Sequence, residues 1–142
     1  MKKPNIAGLI TAAMGFLIII VPNWVLPVCE GMLELTNGNH VPMRCFWTAR
    51  AEIVLGALVL IAGLMVAFLS SAEARRRLNH LVTFLGVAVI LTPLYIIPTC
   101  MNPDMACNVG TKPALIILGG ITVALGLYGS RASRPTLTPT GA

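Results

Sequence analysis

Four long apolar runs, at residues 6–26, 51–69, 81–97 and 113–128, are separated by short polar stretches. Each is about the ~17–25 residues that an α-helix needs to cross ~30 Å of hydrocarbon. The pattern predicts an all-α polytopic protein: a four-helix transmembrane bundle in one domain spanning 1–142, with the fourth span the shortest.

The runs are not independent. Residues 15–29 align without a gap onto 86–100, matching Gly15/Gly86, Ile19/Ile90, Pro22/Pro93, Pro27/Pro98 and Cys29/Cys100, with Trp24 opposite Tyr95. Residues 51–64 align onto 114–127 through Ala51/Ala114, Ile53/Ile116, Gly56/Gly119 and Gly63/Gly126. Between the halves stands Met-x-Cys in both copies, Met43-Arg44-Cys45 and Met105-Ala106-Cys107. Such self-similarity predicts one supersecondary unit used twice: two tandem helical hairpins, at about 6–69 and 78–128.

Pro22 and Pro93 fall near one end of the first helix of each unit, where a missing backbone N–H is tolerated or bends the last turn, and Pro27 and Pro98 end the helix. Thr48 and Thr111 stand just before the second helices, Thr111 as an N-cap with Pro113 in the first turn. Gly56/Gly63 and Gly119/Gly126 are spaced by two turns, so each pair lies on one helix face. Small residues allow close backbone approach in lipid, which predicts that these faces meet at the bundle centre, around a pseudo-two-fold axis along the membrane normal.

Composition agrees with the pattern: 56% of residues are hydrophobic and only 11% charged. The net charge of +5 is distributed by topology. Lys2, Lys3, Arg75, Arg76, Arg77, Arg131 and Arg134 flank one set of helix ends, against Arg44, Arg50 and Lys112 at the other. Basic residues are retained on the cytoplasmic side, so both termini are expected there. Residues 70–80 form the inner loop, with its arginines on anionic headgroups, and 130–142 a disordered cytoplasmic tail. Scattered basic residues without a stacking surface exclude a nucleic-acid partner. The first span is kept as a helix and not as a cleaved signal, because Pro27 and Val28 precede Cys29 where a lipoprotein signal carries small residues.

All four cysteines then lie in extracytoplasmic loops, where disulfides form. The repeat favours Cys29 with Cys45 and Cys100 with Cys107, since both pairs close equivalent loops. Trp24, Trp47 and Tyr95 mark the outer interface. Glu52 is the one acid within an apolar run away from the inner surface, and its repeat mate is Leu115. An intramembrane acid is a functional candidate. The bland alternative is that it snorkels or hydrogen-bonds a neighbouring helix. Trp47, Thr48 and Arg50 complete the candidate set. No Ser/His/Asp set and no phosphate-cradling glycine loop is present, so no catalytic residue and no cofactor is assigned. Two other classes share the pattern. The soft ligands Met43, Cys45, Met105 and Cys107 would suit copper(I) if the thiols were reduced, and a membrane thiol-disulfide oxidoreductase also has four helices and outer cysteine pairs, although neither pair here has Cys-x-x-Cys spacing.

The stretch Met43-Arg44-Cys45-Phe46-Trp47-Thr48-Ala49-Arg50-Ala51-Glu52-Ile53, followed by Gly56, resembles the signature of a family of small bacterial membrane proteins catalogued as domain of unknown function 4418. The resemblance covers nearly the whole chain. It implies a multi-pass protein of the bacterial inner (cytoplasmic) membrane working beside export-type ABC transporter permeases. Together with the residues it suggests a non-enzymatic accessory or scaffold protein whose contacts are lipid, a membrane-protein partner and a second copy of itself.

Overall fold

The computed structural model of the protein describes residues 5–26, 28, 31–99 and 102–133. Helix α1 (Ile6–Ile20) opens at Asn5, whose side chain accepts the Ala7 N–H at 3.2 Å. At Pro22 the helix widens into a π turn, Val21–Val25, closed by Leu26 N–H to the Val21 carbonyl at 2.8 Å. A wider turn accommodates a residue that has no N–H and crowds the preceding carbonyl. Helix α2 (Arg44–Phe68) is followed after a three-residue connection by α3 (Ala72–Leu91), which passes at Pro93 into a second π turn, Thr92–Ile96. A third π turn, Cys107–Thr111, runs directly into α4 (Lys112–Ala132). With their π turns, all four helices are long and apolar enough to cross a membrane.

Helices α2 and α3 begin earlier than their apolar runs. Arg75, Arg76 and Arg77, expected in an inner loop, lie in the first turns of α3. Ser71 caps that helix by accepting the Ala74 N–H, and Glu73 pairs with Arg77 one turn on at 2.8 Å. Capping and an i,i+4 pair extend a helix through polar sequence, which hydropathy does not detect. Helix α4 likewise continues to Ala132, into the segment expected to be a tail; residues 134–142 lie outside the described residues.

One element departs from the all-helical expectation. Strands β1 (Met32–Glu34) and β2 (His40–Pro42) pair antiparallel, Met32 opposite Pro42 and Glu34 opposite His40. Gly38 supplies the positive φ of the turn, +75°, after Asn37. Asn-Gly between short apolar stretches is a hairpin signal in the sequence itself.

Packing is closest within the pairs α1/α2 and α3/α4; α2 also meets α3, and α4 closes the ring on α1. This overturns the expected place of the glycine faces. They do not meet at the bundle centre: each lies against the preceding helix. A Cβ on Gly56 would come within 2.9 Å of the Gly15 carbonyl oxygen, and one on Gly63 within 2.8 Å of the Ala12 Cα. On the other side, a Cβ on Gly119 would lie 3.0 Å from the Gly86 carbonyl oxygen and one on Gly126 2.8 Å from the Asn79 carbonyl oxygen. The reason is complementarity. Helices α1 and α3 carry small residues of their own, Gly8, Ala12 and Gly15 on one and Gly86 on the other, so groove meets groove within each pair. The centre is left to larger side chains, Ile18, Val89 and Leu115 with Leu55 and Leu118 around them.

Candidate functional site

All three π turns, the β-hairpin, Cys45 and Cys107 lie at the same end of the bundle, the cysteine end; the arginines of α3 mark the opposite end. On α2 the buried positions run Cys45, Thr48, Ala49, Glu52, Gly56 and Val59, spacings of three and four that make one stripe on the inner face. The candidates are therefore divided between two faces. Thr48 and Glu52 point into the bundle. Trp47 and Arg50 do not: Trp47 is 56% exposed, and Arg50 is exposed with its guanidinium carbon 5.0 Å from the centre of the Phe46 ring. Phe46 in turn meets Trp47 edge to face at 5.9 Å. This aromatic and cationic patch has the amphipathic character of an interfacial anchor, in line with Trp24 and Tyr95, 76% and 79% exposed.

Thr111, expected as an N-cap, stands at the start of α4 but does not cap it with its side chain. Thr48 and Thr111 both sit inside helical turns, fully buried, and each gives its hydroxyl to the other half of the chain. Thr48 Oγ1 donates to the Ile97 carbonyl at 3.0 Å, with a longer share to the Arg44 carbonyl one turn back at 3.3 Å, and Thr111 Oγ1 donates to the Leu26 carbonyl at 3.0 Å. Leu26 and Ile97 are the residues that follow the two proline π turns. A helix interrupted by proline exposes carbonyls that must find donors in a dry interior, and here the opposite hairpin supplies them. Thr11, Thr92 and Thr122 spend their hydroxyls locally, on carbonyls one turn back. Sequence reasoning aligned Thr48 with Thr111, but Leu26 and Ile97 act through backbone oxygens and left no signal of their own. Replacing either threonine with the isosteric valine should lower stability by about 0.6–1.7 kcal/mol. In the double variant the losses should add, because the two bonds share no partner. Thermal unfolding in lipid-detergent micelles measures both.

Glu52 is completely buried, at 0% exposure, and neither carboxyl oxygen has a hydrogen-bond partner among the described residues. It is therefore not a snorkelling side chain, nor does it present itself to a helix outside the bundle. Cys45 and Cys107 are both buried at the cysteine end; the pairings expected for them fall on Cys29 and Cys100, which lie outside the described residues. Met43 and Met105 are half-buried, in separate loops before α2 and before the third π turn. Among the described residues no group of three or more His, Cys, Asp or Glu side chains converges on a metal-sized site. Two clefts open at this end. One of about 530 Å³ is lined by Pro98, Thr99, Pro103, Asn108, Lys112 and Ile116; the other, of about 410 Å³, by Arg44, Trp47, Ile96, Ile97 and Pro98.

The family model described as domain of unknown function (DUF4418) matches residues 11–130. The chain belongs to the DUF4418 family. The matched region contains all four spanning helices in whole or in large part, both cross-hairpin threonines and Glu52, so the site lies within the DUF4418 domain. No curated protein and no solved structure matches the chain.

Proposed function

We propose that this DUF4418 protein is a non-enzymatic accessory or scaffold subunit of the bacterial inner membrane, made of two tandem hairpin repeats with both termini cytoplasmic and the cysteine end extracytoplasmic. The equivalent burial of Ile18 and Val89, the matching glycine contacts and the reciprocal Thr48 and Thr111 bonds support the two-repeat reading. The basic residues of α3 at the opposite end support the orientation.

The observation that carries the accessory role is the β-hairpin. Every residue of both strands is exposed, and Met32, Leu33, Leu35 and Val41 set apolar surface beside the membrane end of the bundle. An isolated two-stranded hairpin is marginal in water, and its edges carry unpaired backbone groups that another chain can extend. Its occupant in this reading is the extracytoplasmic segment of a membrane partner, which the family resemblance suggests is an export-type ABC transporter permease. A photocrosslinker at Leu33 or Val41 should yield an adduct with a permease subunit, identified by mass spectrometry, while the same group at lipid-facing Phe84 on α3 should not. Adducts at Leu33 and Val41 only with lipid or with a second copy of the chain would refute the partner.

In the same reading the cysteines are staples, Cys29 with Cys45 and Cys100 with Cys107. Complete burial of Cys45 and Cys107 favours this over thiol exchange, in which an attacking thiolate must reach the sulfur. Non-reduced peptide mapping should find these two links and no Cys29–Cys107 link.

A further inference from the structure

Glu52 presents a problem of charge. Its carboxyl is wholly enclosed, and both oxygens lack a hydrogen-bond partner among the described residues. Helix α1 has no titratable side chain, α3 has none between His80 and Tyr95, and α4 has only the exposed Tyr128, at the end away from the cysteines, between Lys112 and Arg131. On α2 itself Arg50 is exposed and turned toward Phe46, and Arg44 stands at the helix start. A bare carboxylate in such a place keeps the whole penalty of lost hydration, so its charge must be compensated. A metal cation would demand several further oxygen ligands, and among the described residues no group of three or more His, Cys, Asp or Glu side chains converges on a metal-sized site. A single proton compensates the charge with no other ligand. The sequence-equivalent residue in the second hairpin, Leu115, has the same burial and packs with Ile18 and Val89.

We propose that Glu52 is a proton-binding site in the bundle interior, loaded from the cysteine end through Thr48. The cleft of about 410 Å³ at that end has Ile97 in its wall, and the Ile97 carbonyl is the acceptor of the Thr48 hydroxyl. Thr48 precedes Glu52 by one helical turn on the same buried stripe, about 5–6 Å between Cβ atoms, and one water molecule suffices to span such a gap. A hydroxyl has one donor and two acceptor positions. With its hydroxyl rotated off the Ile97 and Arg44 carbonyls that hold it at rest, Thr48 can accept a proton on its oxygen from the cleft side and release its own toward Glu52, ending unchanged. Thr111 makes the matching bond to Leu26, but one turn further in on α4 stands Leu115, which cannot hold a proton. Of the two matching threonines, only Thr48 therefore has an acid one turn further in. This inference does not depend on which side of the membrane the cysteine end faces or on any partner.

Infrared spectra of the full chain in lipid bilayers test it. Subtracting the Glu52→Gln spectrum from wild type should leave the carbonyl band of a neutral carboxylic acid, and Glu52→Leu should give the same difference should the glutamine variant fold poorly. A pair of ionised-carboxylate bands in either difference overturns the site. On transfer to heavy water the acid band should shift as its proton exchanges, and in Thr48→Val that exchange should slow at least about tenfold while Thr111→Val stays at the wild-type rate. An unchanged rate in Thr48→Val, or equal slowing in Thr111→Val, overturns the route.

Discussion

Gly15→Ala is expected to force α1 and α2 apart and to lower stability by about 1–3 kcal/mol or more. An added Cβ would lie 2.7 Å from the Gly56 carbonyl oxygen and 2.8 Å from the Leu60 Cα. Both obstacles are backbone, so neither can rotate away. Alanine improves intrinsic helix propensity over glycine by about 1 kcal/mol, which gives the two effects opposite signs and makes the clash decisive. Gly120→Ala provides the control. A Cβ there meets nothing within 4 Å, so only the propensity gain remains and the variant should be neutral or slightly more stable. Unfolding by increasing SDS in mixed micelles compares them. Equal stability of Gly15→Ala and Gly120→Ala would show that α1 and α2 do not meet backbone to backbone.

The second large effect comes from exchanging the repeat mates at the core. Glu52→Leu removes a fully buried acid whose oxygens have no hydrogen-bond partner among the described residues and substitutes the side chain found in the other hairpin. Burying an unsatisfied polar group costs about 1–3 kcal/mol by mutational measures, so the variant should gain roughly that much. Leu115→Glu does the reverse. It sets a second acid against Ile18 and Val89, loses the packing of a buried leucine and should cost about 2–5 kcal/mol. Opposite signs for the two variants in the same unfolding assay are the expected result. A destabilised Glu52→Leu would mean that the carboxyl makes a stabilising interaction in the membrane.

A more stable Glu52→Leu would also locate the purpose of the acid outside folding. The reciprocal threonine bonds already join the hairpins at the cysteine end. A costly residue that packing does not need is expected at a working site.

Much was legible in the chain itself. The four spans follow from hydropathy because lipid leaves the backbone no partner but its own helix. Aligned glycines, prolines and cysteines set two stretches of the chain in register and paired Thr48 with Thr111 and Glu52 with Leu115. Trp24, Trp47 and Tyr95 were readable as outward-facing rings at the cysteine end, because an amphipathic ring near the end of an apolar run favours an exposed place. The hairpin at Asn37-Gly38 had a local signal too, though a short one beside long apolar runs.

Other features depended on which surfaces met. Glycine spacing defined a face on α2 and on α4, but a face does not name its partner. Only the folded chain put those faces against α1 and α3, where small residues opposed small residues, and gave the centre to Ile18, Val89 and Leu115. Thr111 looked like a cap because capping is local and visible in sequence, whereas the acceptors of Thr48 and Thr111, the Ile97 and Leu26 carbonyls, lie 49 and 85 residues away and belong to the backbone. The same holds for Glu52. Sequence could place an acid in an apolar helix, but its direction was settled by rotation of α2 about its own axis. That rotation is fixed by the glycine contacts with α1, and it turned the carboxyl inward, away from lipid and away from Arg50.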